Sequence, residues 1–600
     1  MRQKFGPYRL SKCLHRYSPT LTRFGSFHAR SELRKEVNKA PAIQPQRSLR
    51  GKHRGFAVAA TNEPTIYALS TAAGRAAIAI IRISGPACLT VYEALCPGKL
   101  PPKPRCATLR TLYEPLRIGT DAQILDSGAL VLYFPAPQTA TGEDVLEFHV
   151  HGGTAVVKAM LAAIPKANLE GDSHNIRYAD PGEFTRRAFY NNRLDLLQIE
   201  ALGDTLSADT EQQRLLAVRG STGILTNRYE SWRQKLLLAR GELEALIDFS
   251  EDQQFDESPA ELCASVAHQV QELKSQLQAN IESAARGELL RNGINIALIG
   301  APNAGKSSLL NQIVGREAAI VSSEAGTTRD VVDVNVDISG FFCKFGDLAG
   351  LRKQPGSPHS QPIGEIEREG IRRAKDRALA SDVVIVVLPA CISERPEYTI
   401  EVEAEVVEIL SQCDTDKQKI VCVLNKADLF PNSKLLSRVC QQHQQHKILS
   451  KYMDLSETIL YAVSCKNAQY ITPGNPDPGG IQVFLDGLTR LFERMTTAVV
   501  PRYRQGTIDN SAWAESLGAS ERQRSLLAQC LDHLESFSVQ VGPTKKDEGE
   551  SYFEEENIDI VLAAESLRSA AGCLSKITGK GDAGDVEEVL GVVFEKYRGT

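Results

Sequence analysis

The chain has no long apolar run. Stretches such as Val383 to Leu388 have the length of a buried strand and fall far short of the ~18 residues that a membrane-spanning helix needs. Its 13 cysteines include no CxxC pair and no metal-ligand spacing, which suits a reducing compartment better than a disulfide framework and assigns them no chemistry. Acidic residues are almost missing from the first sixty positions: residues 1–60 carry 14 Lys+Arg against Glu32 and Glu36. The remainder then holds 55 basic and 72 acidic residues, a net of −17, so a nucleic-acid partner would have to meet a local basic patch rather than a positive surface.

The basic leader, with its interspersed Ser, Leu and Phe, reads as a mitochondrial presequence; a disordered basic tail that touches nucleic acid is the alternative. A different, foldable composition begins near Thr61. Six hundred residues, 42% apolar and 24% charged, exceed one core and imply about three soluble domains. "AAIAIIRISG" and "SGALVLYF" predict strands, and "GGTAVVKAMLAAI" predicts a helix. From about 182 to 290 apolar residues recur every three or four positions, as helices require. Residues 294–495 alternate short apolar strands with helices, as a doubly wound parallel domain does. Residues 513–598 return to helix, with a polar loop from Lys545 to Asn557. The fold class expected is α/β plus α, with a P-loop domain inserted into a helical domain and preceded by a small α+β domain. The boundaries are 1–60 for the leader, 61–181 for the α+β domain, 182–290 and 498–600 for the helical halves, and 291–497 for the insertion.

"GAPNAGKSSLLN" (300–311) follows the apolar run 294–299 and leads into a predicted helix. Gly300, Gly305, Lys306 and Ser307 fit the P-loop pattern, in which backbone N–H groups cradle phosphates, the lysine reaches the β/γ oxygens and the serine hydroxyl serves Mg²⁺. Asn303, Ala304 and Ser308 complete the contacting loop. A chance glycine turn is a weak rival, because three further elements follow in order. "DLAG" offers Asp347 to the metal side and the Gly350 amide to the γ-phosphate. "NKAD" supplies Asn425, Lys426 and Asp428, whose carboxylate can accept both N1–H and the N2 amine of guanine. "SCK" (Ser464, Cys465, Lys466) is a base-contacting loop. The nucleotide is GTP.

Leu351 stands where Ras-type GTPases carry a water-orienting glutamine, and it can neither donate nor accept a hydrogen bond. Something else must place the water. A monovalent cation held by Asn303 and a downstream acid, Glu365 or Glu367, are the candidates. A plain turn residue and a solvated helix face are the equal alternatives.

Beyond these elements, "EAAIVSSEAGTTRDVV" (317–332), "GRAAIAIIRISGP" (74–86), "TGEDVLEFHVHGG" (141–153) and "PGEFTRRAFYNNRLDLLQIEA" (181–201) resemble the tRNA-uridine-modifying GTPases of the MnmE/TrmE family, over roughly residues 61–600. The resemblance implies a folate-binding N-terminal domain that forms a constitutive homodimer, and K⁺-dependent pairing of GTPase domains. It places the K⁺ ligand on Asn303 and the K⁺ loop on Ser322, Glu324 and Thr327. The second Mg²⁺ hydroxyl falls on Thr328, and the catalytic glutamate on Glu367. The folate positions fall on Arg82, Glu147 and Arg193, binding 5-formyltetrahydrofolate or a related reduced folate. Arg193 replaces the family's usual lysine, keeping charge but changing geometry.

By the same resemblance, the partners are tRNA and an FAD-containing protein. The reaction is carboxymethylaminomethyl- or taurinomethyl-type modification at C5 of the wobble uridine, in the mitochondrial matrix. The chain departs from the family in three places. It ends "FEKYRGT", with Arg598 near the family's cysteine and no terminal lysine, so the end is an alternative one or the chemistry is altered. "KQPGSPHSQPIG" lengthens the stretch before Glu365, and Leu348 replaces a threonine. Two rival readings stand beside this one: an Era-like ribosome-assembly GTPase, which would lack the 61–290 stretches, and a folate-binding scaffold with altered C-terminal chemistry.

Overall fold

The structure is a computed structural model that describes residues 63–115, 123–167, 175–249, 259–301, 303–317, 334–346, 372, 375–392, 398–400, 402, 404–414, 418–430, 460–470, 472, 474–501, 513–541, 544–545, 551–552 and 559–579. The leader, Ser322, Glu324, Thr327, Thr328, Asp347, Gly350, Leu351, Glu365, Glu367 and the "FEKYRGT" ending lie outside the described residues.

Period-two patterning builds the first sheet. Its strands are β1 (Thr65–Leu69), β2 (Ile78–Ser84), β3 (Thr108–Tyr113), β4 (Ile124–Phe134), β5 (Val145–His151) and β6 (Ile176–Tyr178). They lie in the order β3-β4-β5-β2-β1-β6, antiparallel except for the β1–β6 pair. In β5, Leu146, Phe148 and Val150 are buried, while Glu147, His149 and His151 alternate onto the other face. Helices α1 (Cys88–Leu95) and α2 (Thr154–Ala163) cover the apolar face with Val91, Tyr92, Leu95, Val157 and Met160. The strands expected from "AAIAIIRISG" and "SGALVLYF", and the helix from "GGTAVVKAMLAAI", are β2, β4 and α2.

Helix α3 (Glu183–Tyr190) lies just past the boundary expected at 181/182, yet its charged residues are bonded into the first sheet. Glu183, 3% exposed, receives both Arg177 nitrogens from β6 (2.8 and 2.6 Å) and Arg187 from the next turn (3.0 Å). Arg187 also reaches Glu143 (3.0 Å) and the Pro64 carbonyl (2.8 Å). Only side-chain burial separates such a helix from its successors, and helical spacing does not report that.

Four helices follow: α4 (Leu196–Leu206), α5 (Glu211–Ser221), α6 (Ile224–Phe249) and α7 (Pro259–Asn292). Asp195 and Thr210 begin α4 and α5 with capping boxes closed by Gln198 and Gln213. The second sheet then runs β7 (Ile294–Ile299), β8 (Val334–Ile338), β9 (Phe341–Phe345), β10 (Val383–Ile392), β11 (Tyr398–Ile400), β12 (Lys419–Asn425) and β13 (Leu460–Ala462), with α8 (Lys306–Glu317), α9 (Ala404–Gln412) and α10 (Ile481–Met495). Its order is β13-β12-β10-β7-β9-β8, with β11 on β10. The inner strands are parallel, as expected, but β8 and β9 form an antiparallel hairpin. The cause is the two-residue turn Ser339–Gly340, with φ of +51° and +90°, which reverses the chain too tightly for a crossover helix.

The last described helices are α11 (Glu521–Val541) and α12 (Ile560–Thr578). Between them Thr544–Lys545 pairs with Ser551–Tyr552, a short ladder inside the stretch expected to be loop. Leu527, Leu534, Leu567 and Leu574 share one core with Tyr229, Trp232, Leu273 and Leu277 of α6 and α7. Helices on either side of the α/β segment thus bury one another's apolar faces. Both passages into and out of that segment are tied to α7. Arg291 bonds Asp204 (2.7 Å) and the Gly518 and Ala519 carbonyls (3.0 and 3.1 Å). Arg286 reaches the Thr497 carbonyl (2.8 Å), and Ser283 accepts from Val499 N–H (2.8 Å). Among the described residues no helix is long and apolar enough to cross a membrane, and the cysteines are free thiols.

Burial by itself raises the Glu183 pKa, but the bonds from Arg177, the Asp180 amide and Arg187 overcome it, and the carboxyl ends below its ordinary value. A lowered carboxyl pKa stabilises the fold above the unfolded value of about 4.3 and loses that contribution as pH falls through the folded value. Glu183→Gln is therefore expected to cost roughly 3 kcal/mol of local stability at pH 7. Hydrogen exchange of peptides spanning β6 and α3 should show a difference from wild type that narrows as pH falls below about 4.

Candidate nucleotide site

Parallel strands bring distant loops to one edge. Register pairs Ile299 with Val386, Leu388 with Leu424, and Leu424 with Ala462, so the carboxyl ends of β7, β10, β12 and β13 lie side by side. In an open α/β sheet that edge is where ligands bind. The loops leaving it are 300–305, 426–430 and 463–470, which hold the P-loop, NKAD and SCK elements.

The first loop has no room for side chains at its two glycines. Gly300 has φ +150° and packs on the Val387 carbonyl of β10; Gly305 has φ +95°, and a Cβ there would run into the amide of Asn425. Asn303 sits at φ +66°, a left-handed position that asparagine tolerates, with its side chain exposed. Ala304 N–H closes the turn on Ala301 O (3.1 Å), and Ala304 is fully buried. Helix α8 starts at Lys306, so its first N–H groups and its dipole end at the loop. Lys306 Nζ donates to the Gly300 and Ala301 carbonyls (2.7 and 2.9 Å), holding the ammonium over the loop. Ser307 is half-buried in the first turn, and Ser308 is exposed.

Asn425 clasps the loops together. It is 3% exposed; its Nδ2 donates to Ala304 O (2.9 Å), and its Oδ1 accepts Lys426 N–H (2.8 Å). Lys426 takes φ +64°, which turns the chain into the short 3₁₀ turn carrying Asp428. The Ser464 hydroxyl then donates to Asp428 Oδ1 (2.7 Å) while accepting Asn467 N–H (3.1 Å). One Asp428 carboxylate oxygen is thereby held in place by the Ser464 hydroxyl. Burial pushes the Cys465 thiol up to about 11, so it is neutral at physiological pH and offers backbone rather than thiolate chemistry. Lys466 precedes the 3₁₀ turn 467–469.

The comparisons with known proteins agree with this frame. Residues 65–193 match the family described as GTP-binding protein TrmE N-terminus, and residues 196–597 match the MnmE helical domain. The chain belongs to the MnmE/TrmE family of tRNA modification GTPases. It is 37% identical over 534 residues to "tRNA modification GTPase mss1, mitochondrial" of Schizosaccharomyces pombe, covering 89% of this chain and 95% of that protein. It is 35% identical over 560 residues to "5-taurinomethyluridine-[tRNA] synthase subunit GTPB3, mitochondrial" of Homo sapiens, covering 93% and 97%. To "tRNA modification GTPase MnmE" of Parvibaculum lavamentivorans it is 47% identical over 329 residues, 55% of this chain and 70% of that protein.

Of the site positions read from sequence, the structure brings Asn303 to Ser308 together with Asn425, Lys426, Asp428 and Ser464 to Lys466. In the first sheet, Arg82 and Glu147 are direct cross-strand partners, and Arg82 Nε donates to Glu147 Oε1 (2.9 Å). Arg193 Nε bonds the Thr139 carbonyl (2.9 Å), in the loop before β5. Sequence reasoning treated NKAD and SCK as base-contacting elements and missed the structural work of Asn425 and Ser464. An asparagine that ends a predicted buried strand was the available signal, since a buried amide must find partners.

Asn425→Ala leaves the Ala304 carbonyl and the Lys426 amide without their partner. Two lost bonds predict GTP affinity weaker by roughly 30- to 100-fold in a fluorescent-nucleotide titration. An unchanged affinity would mean that the loops hold their places without the clasp.

Proposed function

We propose that this chain is a GTP hydrolase of mitochondrial tRNA modification. It would act at C5 of the wobble uridine, with an FAD-containing partner, to install a carboxymethylaminomethyl- or taurinomethyl-type group. The observation that carries the reading is the Asn425 clasp, which ties the glycine loop to the turn of Asp428, whose carboxylate Ser464 orients and which would read guanine. The names of the yeast, human and bacterial relatives support tRNA as substrate, and the human relative's name, a synthase subunit, supports a partner protein. Two of those names also support the mitochondrion, and the matrix is the finer expectation. The match over 65–193 covers the region that an Era-like ribosome-assembly GTPase would lack, and that rival is set aside.

In this reading the P-loop domain is an insertion into the helical domain, and the first sheet is the folate-binding and homodimerising domain. Lys306 and the α8 amides would bind the β- and γ-phosphates. Ser307 and Thr328 would hold Mg²⁺, and Asp347 would stand on the metal side; the half-buried hydroxyl in the first turn of α8 suits that ion. Asn303, with Ser322, Glu324 and Thr327, would hold K⁺; the exposed side chain at the left-handed turn is open to such a ligand. When bound, the two cations neutralise charge developing on the transferred phosphoryl oxygens. Glu367 would orient the attacking water, a task Leu351 cannot perform. Gly350 would donate its amide to the γ-phosphate. In the first sheet, Arg82, Glu147 and Arg193 would hold the reduced folate. Glu147, bonded through one oxygen to Arg82, keeps acceptor capacity for pterin N–H groups.

Deleting the gene should remove the C5 modification from mitochondrial tRNA wobble uridines in mass spectrometry of nuclease digests; intact modification would overturn the proposal. The hydrolytic mechanism has its own readouts. GTP turnover should be at least tenfold faster in K⁺ than in Na⁺ at equal ionic strength, roughly the differential of one well-placed charge contact. Glu367→Ala should slow turnover by about 10²-fold while leaving GTP affinity within a few-fold of wild type. Equal rates in both salts would exclude the cation role of Asn303, and a large loss of binding would make Glu367 structural.

A further inference from the structure

On the outer face of the first sheet, Glu147 is held from two sides. Arg82, directly across on β2, donates Nε to Oε1 at 2.9 Å. His149 lies two residues further along β5 on the same face, and its Nε2 stands 3.3 Å from Oε2. The carboxylate is mostly enclosed, with its side chain 14% exposed, while the His149 ring is 23% exposed. Ile80 and Leu130, in register with His149, and Leu132, in register with Glu147, supply an apolar surround.

A carboxylate has about four lone-pair positions on two oxygens. With Arg82 on Oε1 and a His149 Nε2–H on Oε2, one acceptor is left on each oxygen. A parallel pair of acceptors fits an edge with two adjacent N–H donors, such as the ring N–H and exocyclic amine of a pterin. With one clamp missing, the carboxylate would rotate about its terminal bond and lose that alignment.

We infer that His149 is a positioning residue for the folate site, fixing the plane of Glu147 against Arg82 so that its two remaining acceptors face the pterin edge. The inference rests on the folate reading above. It requires Nε2 to carry the proton toward Glu147, a job that the amide of glutamine can also do.

The test is calorimetric titration of the full-length protein with 5-formyltetrahydrofolate, with GTP turnover as a check that each variant is folded. His149→Ala and His149→Leu should bind about tenfold more weakly, the loss expected for one hydrogen bond to a charged group. His149→Gln should recover to within about threefold of wild type, because it restores the donor. In a Glu147→Gln background, which weakens rather than removes the site, His149→Ala should add much less than it does alone. Wild-type affinity in His149→Ala, with Glu147→Ala inactive in binding, overturns the role of His149 and leaves the folate site standing. Equal weakening by His149→Gln and His149→Ala also overturns it, since packing rather than donation would then be at stake. Undiminished binding by Glu147→Ala overturns the folate reading itself.

Discussion

One buried amide organises the nucleotide site. Asn425 stands at the end of a central parallel strand, almost fully removed from water, and its two polar atoms must be satisfied inside the protein. It meets that demand by bonding the Ala304 carbonyl and the Lys426 N–H. An unsatisfied primary amide in such a place costs about 1–3 kcal/mol per group. The 300–305 loop and the 426–430 turn therefore each gain a buried hydrogen bond from lying beside the other. Gly305 is the steric counterpart of the same contact: the space a Cβ would need is filled by the asparagine amide. Ser464 repeats the device one strand further on, donating its hydroxyl to Asp428. Asn425 and Ser464 thus hold the loop and the carboxylate of the candidate site in fixed places.

A division of roles runs through the rest of the molecule. Within each layer the adhesive is apolar: the faces of β2 and β5 against α1 and α2, or of α6 and α7 against α11 and α12. Where one layer meets the next, buried charge and hydrogen bonding add direction to an apolar contact that Leu216, Leu290 and Leu517 make with the core of the α/β segment. Glu183 and Arg187 fasten α3 to the first sheet, and Arg291 fastens the entry into the α/β segment to α4 and to the 518–519 turn. Apolar contacts are non-directional and tolerate sliding, whereas a buried guanidinium with three fixed acceptors does not. Arg291, Arg286 and Ser283 tie both passages of the chain to α7, and Gln212 N–H of α5 adds a bond to the Gly340 carbonyl (3.1 Å) in the β8–β9 turn.

The order of elements was legible at the level of local periodicity. Alternation in "AAIAIIRIS" makes a strand with one wet face, and recurrence at three and four makes α6 and α7, because side-chain direction follows from backbone geometry alone. The phosphate loop was legible for the same reason: glycines, a lysine and a hydroxyl at fixed spacing between strand and helix can wrap only a small range of ligands. The antiparallel β8–β9 hairpin was not, since Ser339–Gly340 has the turn propensity of many loops, and only the paired positive φ values make it a reversal. Nor was the attachment of α3, since helical spacing does not report which partners its charged residues meet.

What the sequence alone determined was therefore the chemistry available: a phosphate cradle, a carboxylate that can read guanine, an aliphatic residue where a water-orienting amide would stand, and the family to which the chain belongs. What only the tertiary structure decided was which of these groups meet. Asn425 and Ala304 are 121 positions apart, and Arg82 and Glu147 are 65 apart. Such pairs become neighbours only through the register of parallel and antiparallel ladders. Periodicity fixes which face a side chain takes; it carries no information about which distant strand will lie beside it.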